Sequence, residues 1–161
     1  MINIAKKMSE ECHKNQTISD GKPYSVHINN VVNNLIRFGY NEPILICGAY
    51  LHDSVEDTDL TIEEIKLQLG DEVSDIVYRV TDEPGKNRKE RKMATYPKIK
   101  GHRGATIVKL CDRIANVEYE SGSTKNKYFE MYKKEYTDFK SNLYVPGICD
   151  SLWLYLDNLF S

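Results

Sequence analysis

The sequence predicts an all-α protein of one domain, and three observations support that fold class. Apolar residues recur at helical spacing in several segments, as at Ile107, Leu110, Ile114 and Val117. No segment shows the convincing two-residue alternation of a half-buried strand. The 161 residues suffice for one core without disulfide staples. The predicted domain therefore covers residues 1–161.

Helical spacing and helix-ending residues place eight helices along the chain. They are predicted over residues 2–14, 24–38, 43–55, 62–69, 72–82, 104–119, 124–143 and 147–160. The first carries Ile4, Met8 and Cys12 on one stripe. Gly39 suits the position after the second helix, and Pro43 suits the first turn of the third.

Capping signals define the middle helices. Thr61 and Glu64 form a capping-box pattern at the start of the fourth helix. Asp71 is predicted to cap the fifth helix in the same way. The segment 83–92 is predicted to be a polar connection that passes into a basic segment. A Pro-Gly pair separates the last two helices.

Composition and charge exclude several classes of protein. The net charge of −2 gives no support to nucleic-acid binding, which favours a basic surface. The longest nearly apolar stretch, residues 43–51, is too short to cross a bilayer, and the N-terminus lacks the apolar core of a secretory signal. The four cysteines form neither a CxxC pair nor a disulfide pattern. We expect a cytoplasmic protein with no nucleic-acid or membrane partner; protein partners stay open.

The most informative segment is LHDSVEDTDL, because an apolar run leads directly into it. It contains His52, Asp53, Glu56 and Asp57. If the third helix continues through this segment, His52 and Glu56 lie four positions apart on one helix face, and so do Asp53 and Asp57. Burying such groups is costly unless a cation or a partner neutralises them. The segment therefore predicts a divalent-metal site, although a solvated acidic helix end would show the same pattern.

Two further residues bear on this metal site. His27 lies on a helix that is otherwise apolar and rich in amides, and Asp112 lies within an apolar helical stripe. Each alone also suits a structural role, Asp112 as the partner of Arg113. With His52 and Asp53 they form a set of two histidines and two carboxylates, which suits Mn, Fe or Zn ions. Four protein ligands on a six-coordinate ion would leave two positions for water and substrate.

These residues and their flanking motifs resemble those of the HD superfamily of metal-dependent phosphohydrolases. The resemblance is strongest to the hydrolase domain of the Rel/Spo alarmone enzymes and to free-standing metazoan SpoT homologues. The motifs that carry it are HKNQ, DGKPYSVH, LHDSVEDTDLTIEEIKLQLGDEV, VTDE, ERK and VKLCDRIANV. The resemblance implies an all-α bundle around one Mn²⁺ ion with His27, His52, Asp53 and Asp112 as ligands. Because only two helices follow the hydrolase region, no synthetase or regulatory domain is expected.

The resemblance also implies a reaction and the other site residues. Enzymes of this kind remove the 3′-pyrophosphate of guanosine 3′,5′-bis(diphosphate)-type alarmones, small-molecule nucleotides of the stringent response. Glu56 and Asp57 match the catalytic pair that acts on the attacking water. Substrate contacts are predicted from Lys22, Tyr24, Arg88, Arg91, Lys92, Asn116 and Tyr136. The basic residues of 86–92 would also suit a solvated loop.

One loop departs from this pattern. Ile18 and Ser19 stand where the resemblance places an Arg-Lys pair that holds the guanine base, and Lys22 would compensate only in part. Ile28 also replaces a proline that commonly follows the first ligand histidine. The substrate could therefore be another nucleotide, such as an adenosine alarmone or the 2′-phosphate of NADPH. The sequence is also compatible with a catalytically silent nucleotide-sensing module or an unrelated helical interaction protein.

Overall fold

A computed structural model describes residues 1–122 and 127–161, and the predicted all-α fold is confirmed there. These residues form ten helices. They are α1 Ile2–Cys12, α2 Ser25–Arg37, α3 Pro43–Leu51, α4 Ser54–Asp57, α5 Ile62–Leu69, α6 Asp71–Val80, α7 Arg88–Ile99, α8 Arg103–Ser121, α9 Lys127–Leu143 and α10 Asp150–Leu159. The only β pairing in the described residues is an isolated bridge between Thr17 and Pro23.

The long helix α8 lies at the centre of the main core. Helices α2, α3, α6, α9 and α10 all pack against it. Its predicted apolar stripe of Ile107, Leu110, Ile114 and Val117 is fully buried. A polar group on this helix is therefore enclosed by neighbouring helices, where it needs a partner.

A second, smaller core lies on the other side of α3. Ala5, Leu51, Ile65 and Val73 bury their side chains there, from α1, α3, α5 and α6. Helix α3 thus contributes to both cores, which explains why it is apolar on all sides. Packing on both sides fixes the end of α3, where the acidic segment begins.

Two glycines allow α3, α6 and α8 to approach one another closely. A Cβ added at Gly48 of α3 or at Gly104 of α8 would lie 2.8 Å from side-chain atoms of Ile76 on α6. Real Cβ atoms do not tolerate that distance, so larger residues would push α6 away. The two glycines keep α3, α6 and α8 close together.

Most helix boundaries agree with the prediction within a few residues, and the capping box of Thr61 and Glu64 is confirmed. The predicted cap by Asp71 is wrong. Helix α6 begins at Asp71 itself, and the carboxylate of Asp71 lies 2.7 Å from Nζ of Lys66. Residues 124–126 of the seventh predicted helix fall outside the described residues.

The predicted connection over residues 83–92 is only partly confirmed, since α7 begins at Arg88. The side chain of Asn87 accepts a hydrogen bond from the backbone N–H of Glu90. This Asn-x-x-Glu pattern is typical of a helix start, and the many charges around it concealed the signal. None of the helices in residues 1–122 and 127–161 is both long and apolar enough to cross a bilayer.

Candidate active site

The helix predicted to continue through the acidic segment is interrupted, because His52 and Asp53 form a turn between α3 and α4. Nδ1 of His52 lies 2.7 Å from the carbonyl oxygen of Ala49. The hydroxyl of Ser54 donates to the carbonyl oxygen of Leu51 over 2.7 Å. These side chains satisfy carbonyl groups at the end of α3, where the helix leaves them without amide partners.

Four side chains converge beside this turn, from α2, the turn itself and α8. The Nε2 atoms of His27 and His52 are 3.2 Å apart. Oδ2 of Asp53 lies 3.5 Å and 3.0 Å from these two nitrogens. Oδ1 of Asp112 lies 3.1 Å and 3.4 Å from them. The structure thus brings together the two histidines and two aspartates that the sequence singled out.

The proton on His52 makes this cluster suitable for a cation. A carbonyl oxygen only accepts hydrogen bonds, so Nδ1 of His52 carries the proton that faces Ala49. Unless His52 takes up a second proton, its Nε2 presents a lone pair to two carboxylates and a second imidazole. Only a proton or a metal ion makes such contacts attractive. One atom each of His27, His52 and Asp53 lies within 4.8 Å of the others, so this donor set fits a divalent ion.

The pKa values of the cluster show the same demand for positive charge. Burial lowers the pKa of His27, but hydrogen bonds with Asp112 and Asp53 outweigh burial and raise it to about 9. Burial raises the pKa of Asp53, yet the charge of His52 keeps it well below its ordinary value. Burial also raises the pKa of Asp112, yet the charges of Lys109 and His52 keep it well below its ordinary value. Both carboxylates therefore stay ionised, as metal ligands must be.

Asp112 is held from two sides by residues of its own helix. Nζ of Lys109 lies 3.2 Å from Oδ2, and Nδ2 of Asn116 donates to Oδ1 over 3.0 Å. Arg113, the structural partner considered for Asp112, faces elsewhere, with Nη1 3.2 Å from Oε2 of Glu135. Lys109 was missed in the sequence, although its spacing of three from Asp112 places it on the same helix face.

Asp53 has an outer partner as well. The hydroxyl of Tyr24 donates to Oδ2 of Asp53 over 2.5 Å. Burial and the charge of Asp53 raise the pKa of Tyr24, so its hydroxyl stays protonated and can donate. The ring of His13 stacks on Tyr24 with 4.8 Å between centroids. Tyr24 was predicted to contact the substrate, and the structure adds a contact with a candidate metal ligand.

The acidic pair of α4 lies next to this cluster. Oε1 of Glu56 accepts the backbone N–H of Asp82 over 2.7 Å. The backbone carbonyl of Asp57 accepts from Nε2 of Gln16 over 2.8 Å. Burial and the charges of Asp53 and Glu56 raise the pKa of Asp57 to about 6. The hydrogen bond from Asp82 holds the Glu56 carboxylate in one orientation, as a proton acceptor requires.

The cluster opens into a cleft of about 380 Å³. Four of the predicted substrate contacts line it, and they are Tyr24, Arg88, Lys92 and Asn116. Arg88 and Lys92 lie on α7 and not on a solvated loop. Both are held by carboxylates, because Nη2 of Arg88 lies 3.2 Å from Glu135 and Nζ of Lys92 lies 2.7 Å from Asp82.

Three predicted substrate contacts do not line the cleft, and they are Lys22, Arg91 and Tyr136. Nζ of Lys22 lies 3.3 Å from Oδ2 of Asp20 instead. The hydroxyl of Tyr136 donates to Asp157 over 2.6 Å, which directs it toward α10. Tyr132, one turn earlier on α9, lines the cleft in its place.

The loop that departs from the family pattern is part of the cleft wall. Thr17, Ile18 and Ser19 line it, and so does Tyr119 near the end of α8. Lys22 lies above the Tyr119 ring at 5.7 Å, pairs with Asp20 and does not line the cleft. The loop therefore presents no cationic side chain to the cleft.

The sequence matches the HD domain family over residues 5–138. It is 33% identical to a guanosine-3′,5′-bis(diphosphate) 3′-pyrophosphohydrolase MESH1 of Xenopus tropicalis, over 92% of this chain and 84% of that protein. It is 34% identical to the guanosine-3′,5′-bis(diphosphate) 3′-pyrophosphohydrolase of Aquifex aeolicus, over 73% of this chain but 17% of that longer protein.

The fold is also similar to a solved structure described as a metazoan orthologue of SpoT that hydrolyses ppGpp and plays a role in starvation responses. The superposition has a TM-score of 0.86 and covers 99% of this chain and 93% of that one. Sequence identity across it is 26%. Most of the described helices therefore have counterparts in a single known architecture.

Proposed function

The chain belongs to the HD domain family of metal-dependent phosphohydrolases, and on that premise we propose that it hydrolyses guanosine 3′,5′-bis(diphosphate)-type alarmones. The reaction removes the 3′-pyrophosphate and releases it. One observation carries the proposal, which is the convergence of His27, His52, Asp53 and Asp112 beside the Glu56 carboxylate. The named activity of the relatives supports the choice of substrate.

We further propose that these two histidines and two aspartates hold one Mn²⁺ ion. Mixed imidazole and carboxylate donors suit Mn²⁺, Fe²⁺ or Zn²⁺, and the resemblance to the Rel/Spo-type hydrolases favours Mn²⁺ among them. When bound, the ion supplies Lewis acidity toward a phosphoryl oxygen and lowers the pKa of a water molecule. Two further hydrogen bonds, which His52 donates to the Ala49 carbonyl oxygen and Asp53 accepts from Tyr24, would hold these two ligands in orientation.

The other side chains divide the remaining work in this proposal. Glu56 accepts the proton of the attacking water, with its Oε1 tied to the backbone N–H of Asp82. Arg88 and Lys92 offset the negative charge of the phosphates from the wall formed by α7. Asn116 holds Asp112 and also faces the cleft.

Pyrophosphate release by the purified protein tests this function. With Mn²⁺ present, we expect release from guanosine 3′,5′-bis(diphosphate), loss of the reaction with a chelator, and recovery when the metal is restored. The adenosine counterpart is assayed in the same way, and NADPH is assayed in parallel by release of orthophosphate. Tight nucleotide binding without turnover would instead favour a silent sensing module. No release from any 3′-pyrophosphorylated nucleotide by metal-loaded protein would contradict the proposal.

The loop of Thr17, Ile18 and Ser19 in the cleft wall predicts weak discrimination between guanine and adenine. A missing charged hydrogen bond costs about 1.5–3 kcal/mol of binding, and Ile18 and Ser19 offer none to the base. We expect the ratio of kcat/KM for the guanosine and adenosine alarmones to stay below about a hundredfold, or ~2.7 kcal/mol. The variant that combines Ile18→Arg with Ser19→Lys should increase this ratio.

The control for this prediction is Lys22→Ala, because Asp20 already pairs with Lys22 and it does not line the cleft. The ratio of kcat/KM for the guanosine and adenosine alarmones should be the same in Lys22→Ala as in the unmodified protein. A guanine preference well above a hundredfold in the unmodified protein would show that another residue recognises the base.

Compartment and cellular role belong to the same proposal. Cys12, Cys47, Cys111 and Cys149 are all free thiols, which supports a reducing compartment such as the cytoplasm. Alarmone hydrolysis there would end a stringent response.

A further inference from the structure

Lys109 is a buried cation in the cleft, and it has no role in the chemistry proposed for the other side chains. Only 8% of its surface is exposed, yet it lines the cleft beside the candidate metal ligands. Its Nζ lies 3.2 Å from Oδ2 of Asp112. Within residues 1–122 and 127–161, this is the one hydrogen bond that the ammonium group makes. An ammonium group has three N–H donors, so two remain for a group that enters the cleft.

Lys109 is buried directly against a negative charge, because its Nζ lies 3.2 Å from the Asp112 carboxylate. A buried ammonium with unfilled donors is costly unless an anion or water supplies acceptors. A phosphoryl group bound at the cluster would supply several anionic oxygens at this place.

Lys109 differs from the other cations of the cleft in its partner. Glu135 lies against both Arg88 and Arg113, and Asp82 lies against Lys92. Neither of these carboxylates belongs to the candidate metal cluster. Asp112 does belong to it, so a bound ion would share the negative charge that attracts Lys109. Metal binding would thereby weaken the hold on Lys109 and leave its ammonium available to the substrate.

We propose that Lys109 is a catalytic residue that donates hydrogen bonds to a non-bridging oxygen of the phosphoryl group under attack. It stabilises the negative charge that this group carries in the transition state. The ammonium keeps its proton, and no bond to the lysine forms or breaks. This inference rests on the proposed function, because it requires a phosphoryl group at the cluster.

A purely structural role makes a different prediction about the metal. If Lys109 only holds Asp112 in place, its removal should weaken Mn²⁺ binding, and excess Mn²⁺ should restore turnover. If Lys109 acts on the phosphoryl group, its removal should leave Mn²⁺ affinity unchanged or higher. The reason is that an ammonium 3.2 Å from Asp112 repels an incoming cation.

The test uses Lys109→Met, which keeps the length of the side chain and removes its charge. Lys133→Met, an exposed lysine of α9, is the matched control. Circular dichroism and thermal unfolding establish that each variant folds. Mn²⁺ affinity is measured without substrate, and kcat and KM are measured at saturating Mn²⁺.

We expect Lys109→Met to lower kcat by about 10²–10³-fold, the usual effect of losing one donor to developing charge. Its Mn²⁺ affinity should be at least that of the unmodified protein, and Lys133→Met should match the unmodified protein throughout. In Lys109→Ala, added ethylammonium should restore part of the lost kcat. If Lys109→Met does not fold, Lys109→Gln replaces it under the same criteria.

Two results would overturn the inference. The first is a kcat within about threefold of the unmodified value at saturating Mn²⁺, far less than the loss of an oriented donor causes. The second is a parallel loss of Mn²⁺ affinity and turnover that excess metal restores. An unmodified protein that releases no pyrophosphate overturns the proposed function as well, whereas an active one with an unaffected Lys109→Met variant overturns this inference alone.

Discussion

Asp112→Ala should remove stoichiometric Mn²⁺ binding and, with it, alarmone hydrolysis. Oδ1 of Asp112 is the oxygen within 3.4 Å of both imidazole Nε2 atoms, so its loss leaves a smaller and less negative donor set. Loss of an outer-shell partner alone costs 10–100-fold in metal affinity, and we expect loss of a direct ligand to exceed about 100-fold. Metal analysis of the purified protein and pyrophosphate release measure the two effects.

Thermal unfolding provides a second readout of the same change. A ligand present at about 100 times its Kd stabilises a fold by ~2.7 kcal/mol. Mn²⁺ should therefore raise the melting temperature of the unmodified protein and leave that of Asp112→Ala nearly unchanged. Asp138→Ala is the matched control, because this aspartate lies on α9 with 57% of its side chain exposed. One Mn²⁺ ion per chain in Asp112→Ala would contradict the proposed ligand set.

The convergence of the site was predictable from residue types and burial. His27, His52, Asp53 and Asp112 lie in or beside apolar stripes, where an unpaired polar group is costly. Helices that share one core bring such groups together, which the structure shows for these four. The sequence therefore identified which side chains meet without indicating their distances.

The local geometry at the end of α3 was not predictable in the same way. Residue pattern favoured one helix through the acidic segment, but the side chains of His52 and Ser54 bond to carbonyl oxygens and end α3. Such side-chain bonds compete with the helical ladder. Which of them wins depends on the packing around the turn, and no local pattern reports that packing.

Partners of charged residues also depended on packing. Arg113 was considered for Asp112 because it is the next residue, yet adjacent residues do not face each other on a helix. Arg113 instead forms an ion pair with Glu135, far along the sequence, and Asp112 forms one with Lys109. Tyr136 likewise bonds with Asp157 on α10. The spacing of three to Asp112 was readable in the sequence, whereas the pairings with α9 and α10 required the fold.

Glu56→Gln is expected to separate chemistry from metal binding. Glu56 lies beside the cluster, and no contact with either imidazole is formed in the described residues; its Oε1 accepts the backbone N–H of Asp82. Glutamine keeps the shape and an acceptor oxygen for that bond but cannot take up the proton of an attacking water. Removal of a general base lowers kcat by about 10²–10⁴-fold, so we expect a loss in this range with one Mn²⁺ ion retained.

The matched control for this change is Glu63→Gln, because that glutamate is exposed on the first turn of α5 outside the cleft. It should retain full turnover and full metal content. The informative comparison is metal content against kcat in the same preparation. If Glu56→Gln loses Mn²⁺ and activity together, Glu56 is a metal ligand and the division between ligands and proton acceptor is wrong. If kcat falls while Mn²⁺ and KM stay near their unmodified values, the effect lies in the transition state, as the loss of a proton acceptor requires.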